Sequence, residues 1–391
     1  MQSKPPPSLG ATTRDDRYIF IGCPWTPKGG GMFKVADYLI QAQAICAPAG
    51  TAELRPLDTR GGGNAFFSFW ILAIAVARLV RGRLSGQLAG VHVNVAERLS
   101  LFRKSVIVVI CRALGVPVVL HLHAAQLHHF YRALPGPLQA LTRWVFSLPA
   151  SCLVLGTAAR RFVTEELGVP ASRVEIVING VPEPTEARRK VAPGALQRVL
   201  FLGNLSERKG VTDLLQALAL PGFDEARLEV SLAGGGDIDE YQEKARKLGI
   251  DGFVRFEGWS DQREVSALMA RADVLVLPSY DEGLPLVILE ALANGVAVIC
   301  SPVGEIPFVL TDGVNACFVQ PGDVTAIATA LQKVLAHTAL RETLERNGRA
   351  LYESQFSLAR FSATIARIHQ RHFGIAGQSL EGHAAIKEAT P

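Results

Sequence analysis

The sequence predicts an α/β fold in which two Rossmann-like, doubly wound domains face a cleft. Three observations carry that expectation. The chain has 391 residues, more than one ordinary core accommodates, so two domains of roughly 150 to 200 residues are expected. From Tyr18 onward short apolar runs alternate with longer helical patterns, and after a polar stretch from Glu183 to Gln197 the alternation starts again. Within the runs apolar residues follow one another without polar alternation, the pattern of parallel strands covered by helices on both faces. Sheets of that kind bind ligands beyond the carboxyl ends of their strands.

In the first half YIFIGC, VPVVLHLH, CLVLG and RVEIVING read as strands. KVADYLIQAQAICA and RKSVIVVICRALG read as helices, although the β-branched centre of the second would also suit a strand. In the second half RVLFLGN, RLEVSLAGGG, FVRFEG, VLVLPS and VAVICS are strands, separated by the helices VTDLLQALAL, DEYQEKARKLG, REVSALMARA and LPLVILEALANG. The domain limits follow from these patterns. We expect a disordered arm at 1–16, an N-terminal domain at 17–185, a linker at 186–197 and a C-terminal domain at 198–355. A C-terminal helix at 356–373 can return to the N-terminal domain, and 374–391 form a flexible tail. The longest apolar run, Ala65 to Ala77, is closed by Arg78 and Arg81. It falls short of the roughly 20 residues a membrane span needs. It is either a buried helix or one that abuts a membrane, and burial is the expectation.

Hydrophobic residues make up 49% of the chain and charged residues 19%, which excludes general disorder. The six cysteines are scattered without a CxxC pair, so neither a zinc site nor a disulfide framework is indicated and a reducing, cytoplasmic setting is the simplest reading. The first residues, MQSKPPPSLGATTRDDR, lack the apolar centre of a signal peptide, so export is not expected. Net charge is +4, but residues 1–190 hold 22 basic and 11 acidic side chains whereas 191–391 hold 18 and 25. A basic half suits anionic lipid or nucleic acid, or is a solvated face without a partner. Nucleic acid fits worst, because the basic residues form no run and are not interleaved with aromatics.

Several short motifs carry chemistry. In PSYDEGLPLVILEALANG the carboxylates Glu282 and Glu290 stand at the two ends of an apolar run. Pro285 suits the first helical turn and disfavours a helical residue before it, which leaves Glu282 in a loop and Glu290 in the second turn. Gly283 and Leu284 then offer backbone N–H groups at a helix N-terminus, so one ligand can lie between the carboxylates. The bland alternative is two solvated glutamates on a core helix. PKGGGM, Pro27 to Met32, places Gly30 and Gly31 between a strand and a helix, where backbone can approach a ligand and the helix N-terminus favours anions. The pattern is not GxGxxG, so the dinucleotide fingerprint fails. His121 and His123 lie at strand period, on one side of the sheet, with His123 at the carboxyl end. No carboxylate or cysteine nearby completes a metal set with His128 and His129. Asp237 and Asp239 form a DxD at a helix start, where capping explains them better than metal binding. Thr157 stands at a strand-to-helix junction, where N-capping explains it, and Asn179 and Gly180 look like a tight turn, with ligand contact the alternative.

GNLSERKG, AGGG, FEGW, ADVLVLPS, EGLPLVILEALANG, SPVGEIP and QPGD succeed one another in an order that resembles the C-terminal domain of retaining glycosyltransferases of family 4, which have the GT-B fold. PKGGGM, the HLH strand end and VINGV are similar to the first domain of that family. The resemblance covers about residues 18–370. It implies sugar transfer from a nucleotide diphosphate sugar, with UDP or GDP as the nucleotide of the co-substrate and no further cofactor. Donor binding falls to Gly30, Gly31, Arg208, Lys209, Gly283, Leu284 and Glu290, and catalysis to His123, Lys209 and Glu282. Fixed cations after a strand suit a leaving diphosphate, and His123 takes the position that contacts the donor sugar. Thr157 is similar to a Ser or Thr of the family. Two departures stand out: Asn204 and Ala124 replace an arginine and a glycine found in many relatives, so Arg208 is a candidate substitute. The implied protein is a hexosyltransferase, with mannose one candidate sugar, acting in exopolysaccharide or surface polysaccharide biosynthesis on a polyprenyl diphosphate-linked or other saccharide. It would sit on the anionic inner face of the plasma membrane, with the acceptor on the N-terminal domain and the donor on the C-terminal one. The alternatives are a nucleotide-sugar epimerase on a similar fold and a catalytically silent, membrane-bound partner subunit.

Overall fold

The computed structural model describes residues 16–26, 30–45, 51–62, 65–188 and 196–375. The expected arm and tail therefore lie, but for Asp16, Gly374 and Ile375, outside the described residues, as does 189–195 of the expected linker. The N-terminal half runs β1 Tyr18–Cys23, α1 Gly30–Ile45, β2 Glu53–Asp58, α2 Ala65–Leu84, β3 Leu88–Val95, α3 Leu99–Leu114, β4 Val118–Leu122, α4 Leu127–Arg132, α5 Gly136–Ser147, β5 Ser151–Val154, α6 Thr157–Arg161 and β6 Val174–Ile176. Its strands form a parallel sheet in the order β2-β1-β3-β4-β5-β6. The C-terminal half runs β7 Gln197–Leu202, α7 Val211–Leu218, β8 Leu228–Ala233, α8 Ile238–Leu248, β9 Val254–Gly258, α9 Gln262–Arg271, β10 Val274–Leu277, α10 Leu286–Ala293, β11 Ala297–Cys300, α11 Ile306–Val309, β12 Cys317–Phe318, α12 Val324–Ala336 and α13 Thr338–Leu351. These strands form a second parallel sheet in the order β12-β11-β10-β7-β8-β9. Each sheet reverses strand order once, between β1 and β3 and between β7 and β10, and such reversals open a crevice at the strand ends. This is the two-domain GT-B arrangement.

Two strands of the first sheet escape the sequence patterns. β2 contains Pro56, which lacks an N–H for the ladder and is tolerated because β2 is the edge strand. β3 buries His92 and Asn94 within an otherwise apolar run. The expectation of a buried helix at 65–77 needs correction. α2 turns Ser68, Leu72, Ala75 and Leu79 inward, one face at helical spacing, while Phe67, Trp70 and Ile74 are exposed and Phe69 is 73% exposed. The run is apolar all round, but only one stripe of it has α3 and the sheet to pack against.

A last helix, α14 Leu358–Phe373, packs on α1, β3 and β4 of the N-terminal domain. The outgoing and returning passages of the chain are bonded to each other. Val181 N–H donates to Phe356 O (3.0 Å), Leu358 N–H to Val181 O (2.9 Å) and Tyr352 OH to Val181 O (3.2 Å). A Cβ on Gly180 would lie 2.6 Å from Phe361 Cβ, so this glycine serves close approach rather than the tight turn its sequence suggests. α14 is further tied by imidazoles. His369 Nε2 lies 2.9 Å from His92 Nδ1, and His92 Nε2 lies 3.2 Å from His121 Nδ1. All three are buried. Burial pushes the His92 pKa down to about 4 and those of His121 and His369 well below the usual value.

A histidine held neutral by burial gives the unfolded chain the greater proton affinity between the ordinary value, about 6.5, and the lowered native one. Stability therefore rises with pH across that window and is lost as pH falls through it. Thermal unfolding should show Tm falling steadily from about pH 6.5 to about pH 4.5, and the fall should be shallower in His369→Gln. A Tm independent of pH in both proteins would contradict the neutral chain.

Candidate functional site

The facing sheet ends enclose a cleft of about 920 Å³ lined by Gly30, Gly31, His123, Arg208, Lys209, Glu282, Gly283, Leu284 and Glu290. The structure thus brings all the expected site residues together, although some meet in ways the sequence did not suggest. Lys209 ends a short turn after β7, and the turn closes at Gly210, whose φ of 69° requires glycine. Tyr280 N–H donates to Arg208 O (2.9 Å) and Arg208 Nη1 to Asp281 O (2.6 Å). These bonds fasten the cationic turn to the loop before α10 and bring Lys209 Nζ onto Glu282 Oε1 as an ion pair, with the side chains 12% and 9% exposed. The sequence reading set Lys209 and Glu282 on different parts of a ligand. In the structure they hold each other, because two nearly buried opposite charges lower the cost of their desolvation by pairing.

α10 begins at Leu286, with Pro285 at its N-cap position rather than inside the first turn. Glu290 falls in the second turn as expected, but its carboxylate is engaged. Oε1 accepts from Lys34 Nζ (2.8 Å) and Tyr38 OH (3.1 Å), both on α1 of the other domain. Nothing in the local pattern singles out Lys34 and Tyr38. Their only signal is the i, i+4 spacing just after the glycine-rich loop, part of which, Pro27 to Gly29, lies outside the described residues.

His123 follows the last residue of β4, and its N–H donates to Val95 O (2.8 Å). Its ring lies 4.1 Å from that of His121, the common side expected from strand period. His123 Nε2 is 2.8 Å from Asn94 Oδ1. With the amide oriented in this way Nε2 is the donor, and Nδ1 is left to accept from a hydroxyl. Burial first, then His92 and Lys104, push the His123 pKa down to about 3, so the ring is a neutral hydrogen-bonding group at ordinary pH. Asn179, 2% exposed, also lines the cleft, and its Oδ1 has no partner among the described residues. Asn204 lines it too.

A second cavity of about 650 Å³ lies on the far side of Glu282 and Gly283, which border both. His128, Arg132 and Arg161 line it, with Arg132 paired to Glu166 (2.6 Å). Glu305, within SPVGEIP and 4% exposed, crosses beside it to accept from Ala158 N–H (3.3 Å) and Ala159 N–H (2.8 Å). Thr157 is therefore no cap: Gly156 holds the N-cap position, and the carboxylate comes from the other domain. A side chain on Gly156 would collide with it. Asp237 accepts from Glu240 N–H (3.2 Å) as the N-cap of α8, and Asp239 stands in the first turn. Among the described residues no group of three or more His, Cys, Asp or Glu could hold a metal ion.

Residues 183–351 match the family described as glycosyl transferases group 1. A Mycobacterium tuberculosis glycogen synthase is 28% identical over 65% of this chain and 63% of its own. A Rhizobium meliloti lipopolysaccharide core biosynthesis glycosyltransferase is 35% identical over 41% of this chain and 45% of its own. The chain thus spans less than two thirds of the length of the curated relatives it matches first. Among solved structures, Anabaena HepE in complex with UDP and glucose superposes with a TM-score of 0.69 at 17% identity, covering 90% of this chain and 99% of that one. A Thermosynechococcus elongatus sucrose-phosphate synthase gives 0.73 at 18% identity, over 92% and 100%. At these identities the likeness is one of fold.

Glu305 satisfies helix N–H groups that no side chain of α6 caps. Glu305→Ala should therefore lower unfolding stability by about 1 to 2 kcal/mol, with Glu305→Gln retaining part of it, in urea titrations at neutral pH. Equal stability of all three proteins would remove the interdomain cap from the account.

Proposed function

We propose that this chain, whose residues 183–351 belong to the glycosyl transferases group 1, is a retaining hexosyltransferase that uses a nucleotide diphosphate sugar and a saccharide acceptor. The observation that carries the reading is the gathering of Lys209, Arg208, Glu282, Glu290 and His123 on one cleft at the strand ends of both sheets. A diphosphate needs cations, and a sugar and a ribose need hydrogen-bond acceptors. That set contains both kinds. Lys209 and Arg208 take the diphosphate, Glu290 the ribose, and Glu282 with neutral His123 the sugar. The acceptor enters through the adjoining cavity, so its hydroxyl meets the anomeric carbon near Glu282 and Gly283. In front-face transfer the bond from the anomeric carbon to phosphate oxygen breaks as the bond to the acceptor oxygen forms. The acceptor proton passes to the departing phosphate oxygen, and a nucleoside diphosphate leaves. Catalysis rests on fixed charge where the leaving group develops negative charge. The HepE complex with UDP and glucose supports a UDP sugar. A Mycobacterium leprae phosphatidyl-myo-inositol mannosyltransferase, 34% identical over 49% of this chain and 51% of its own, supports a mannose donor and a lipid-linked acceptor. The reading includes independence of divalent metal, supported by the use of Asp237 as a helix cap.

The lipid-linked acceptor and surface polysaccharide assembly form the finer part of this proposal, together with residence on the inner face of the plasma membrane. Support comes from α2. Phe67, Trp70, Ile74 and Arg81 follow one another at helical spacing on its outer face, aromatic at one end and cationic at the other. Such a face suits the interface of an anionic bilayer, and among the described residues no helix is long and apolar enough to cross a membrane.

Transfer from a panel of UDP and GDP hexoses to a polyprenyl diphosphate-linked saccharide tests the activity. With the active pair, Glu290→Ala should raise the donor KM and Glu282→Ala should lower kcat, each by about 10- to 150-fold per charge-assisted hydrogen bond lost, while EDTA changes neither. Donor hydrolysis or epimer formation without acceptor would point to the epimerase instead. For the membrane, flotation with anionic vesicles should be lost at high salt and weakened in Trp70→Ser. Equal binding to neutral vesicles would rule out the electrostatic part.

A further inference from the structure

Glu290 is expected to bind the ribose, yet its position is set from the opposite domain. Lys34 Nζ and Tyr38 OH both contact Oε1, at 2.8 and 3.1 Å, and no other side-chain atom among the described residues bonds the carboxylate. The Lys34 and Glu290 side chains are 26% and 13% exposed and line the donor cleft. Tyr38 is 3% exposed, and its ring packs within the core of the C-terminal domain although its helix belongs to the N-terminal one. Its hydroxyl also lies 3.5 Å from Gln262 Nε2 of α9. α1 closes on α10 without a gap, since a Cβ on Gly31 would touch Leu286 at 3.6 Å.

We infer that Lys34 and Tyr38 are positioning residues for the nucleotide. They claim Oε1, fix the carboxylate plane, and leave Oε2 to accept from the ribose hydroxyls. A carboxylate without these partners would sample several rotamers and would lose freedom on binding. One held by two donors is already ordered and binds the diol at lower entropic cost. The same contacts hold α1 on the C-terminal domain, so nucleotide affinity and domain juxtaposition are coupled through one carboxylate. The ribose arm of this inference rests on the proposed function; the interdomain clamp does not.

Two measurements on the full chain test it. Calorimetric titration with UDP and with GDP compares the parent with Lys34→Met, Lys34→Arg, Tyr38→Phe, Glu290→Gln and the double variant Lys34→Met/Glu290→Gln. Lys34→Met and Tyr38→Phe should weaken the tighter nucleotide about 10-fold, and Lys34→Arg should restore most of that loss. In the Glu290→Gln background Lys34→Met should change affinity less than about twofold, the non-additivity of groups that act through one another. Additive losses would show that Lys34 attracts the phosphates directly and would overturn the positioning role, as would parent-like affinity in Lys34→Met. The second measurement uses no ligand: a spin-label pair across the cleft should give a broader distance distribution in Lys34→Met and Tyr38→Phe than in the parent. Unchanged distributions would overturn the clamp. If the parent bound neither nucleotide while the distributions broadened, the clamp would stand, and the failure would belong to the nucleotide-sugar reading.

Discussion

A carboxylate removed from water must find a partner, and that constraint organises the cleft. The C-terminal domain presents Glu282, Glu290 and Glu305 on the wall facing its neighbour, with side chains largely out of solvent. An uncompensated charge in such a place costs several kcal/mol. Glu282 finds Lys209 within its own domain. Glu290 and Glu305 find theirs across the cleft, on Lys34 with Tyr38 and on the first N–H groups of α6. Charge compensation therefore does two things at once: it makes the buried carboxylates tolerable, and it aligns one domain against the other.

The fold was largely legible because its signals are local. Parallel strands without polar alternation and helices at 3.6-residue spacing announced two covered sheets, and Pro285 was enough to separate the loop glutamate from the helical one. The readings that failed depend on tertiary partners. Whether the apolar run of α2 is covered is decided by what packs on it, and only one stripe has a neighbour. Thr157 looks like a cap because its neighbours in sequence offer nothing better; the carboxylate that replaces it is 148 residues further along the chain. Lys34 and Tyr38 carry no mark in the sequence, for a lysine and a tyrosine one turn apart on an amphipathic helix are ordinary. Their meaning comes from α10 approaching α1, which no periodicity encodes.

His123 illustrates how the core serves the site. Its neutrality follows from burial and from the neighbouring imidazole and ammonium groups, and its tautomer from Asn94, a polar residue inside a strand that looks only like a weak point in the sheet. The same strand supplies His92, which ties the terminal helix down through His369. Polar residues in β3 thus order the cleft at one end and anchor α14 near the other.

The chain passes between the domains twice, and Val181 is hydrogen-bonded to Phe356 and Leu358 where the passages meet. A body joined to another by one flexible tether can turn about any axis, whereas two tethers pinned together behave as the pin of a hinge. Any opening of the molecule is thereby confined to rotation about that pin, with translation and free tumbling suppressed. A swing of this kind moves atoms in proportion to their distance from the pin. The seam made by α1 and α10 then stands to that pin as a latch stands to its hinge.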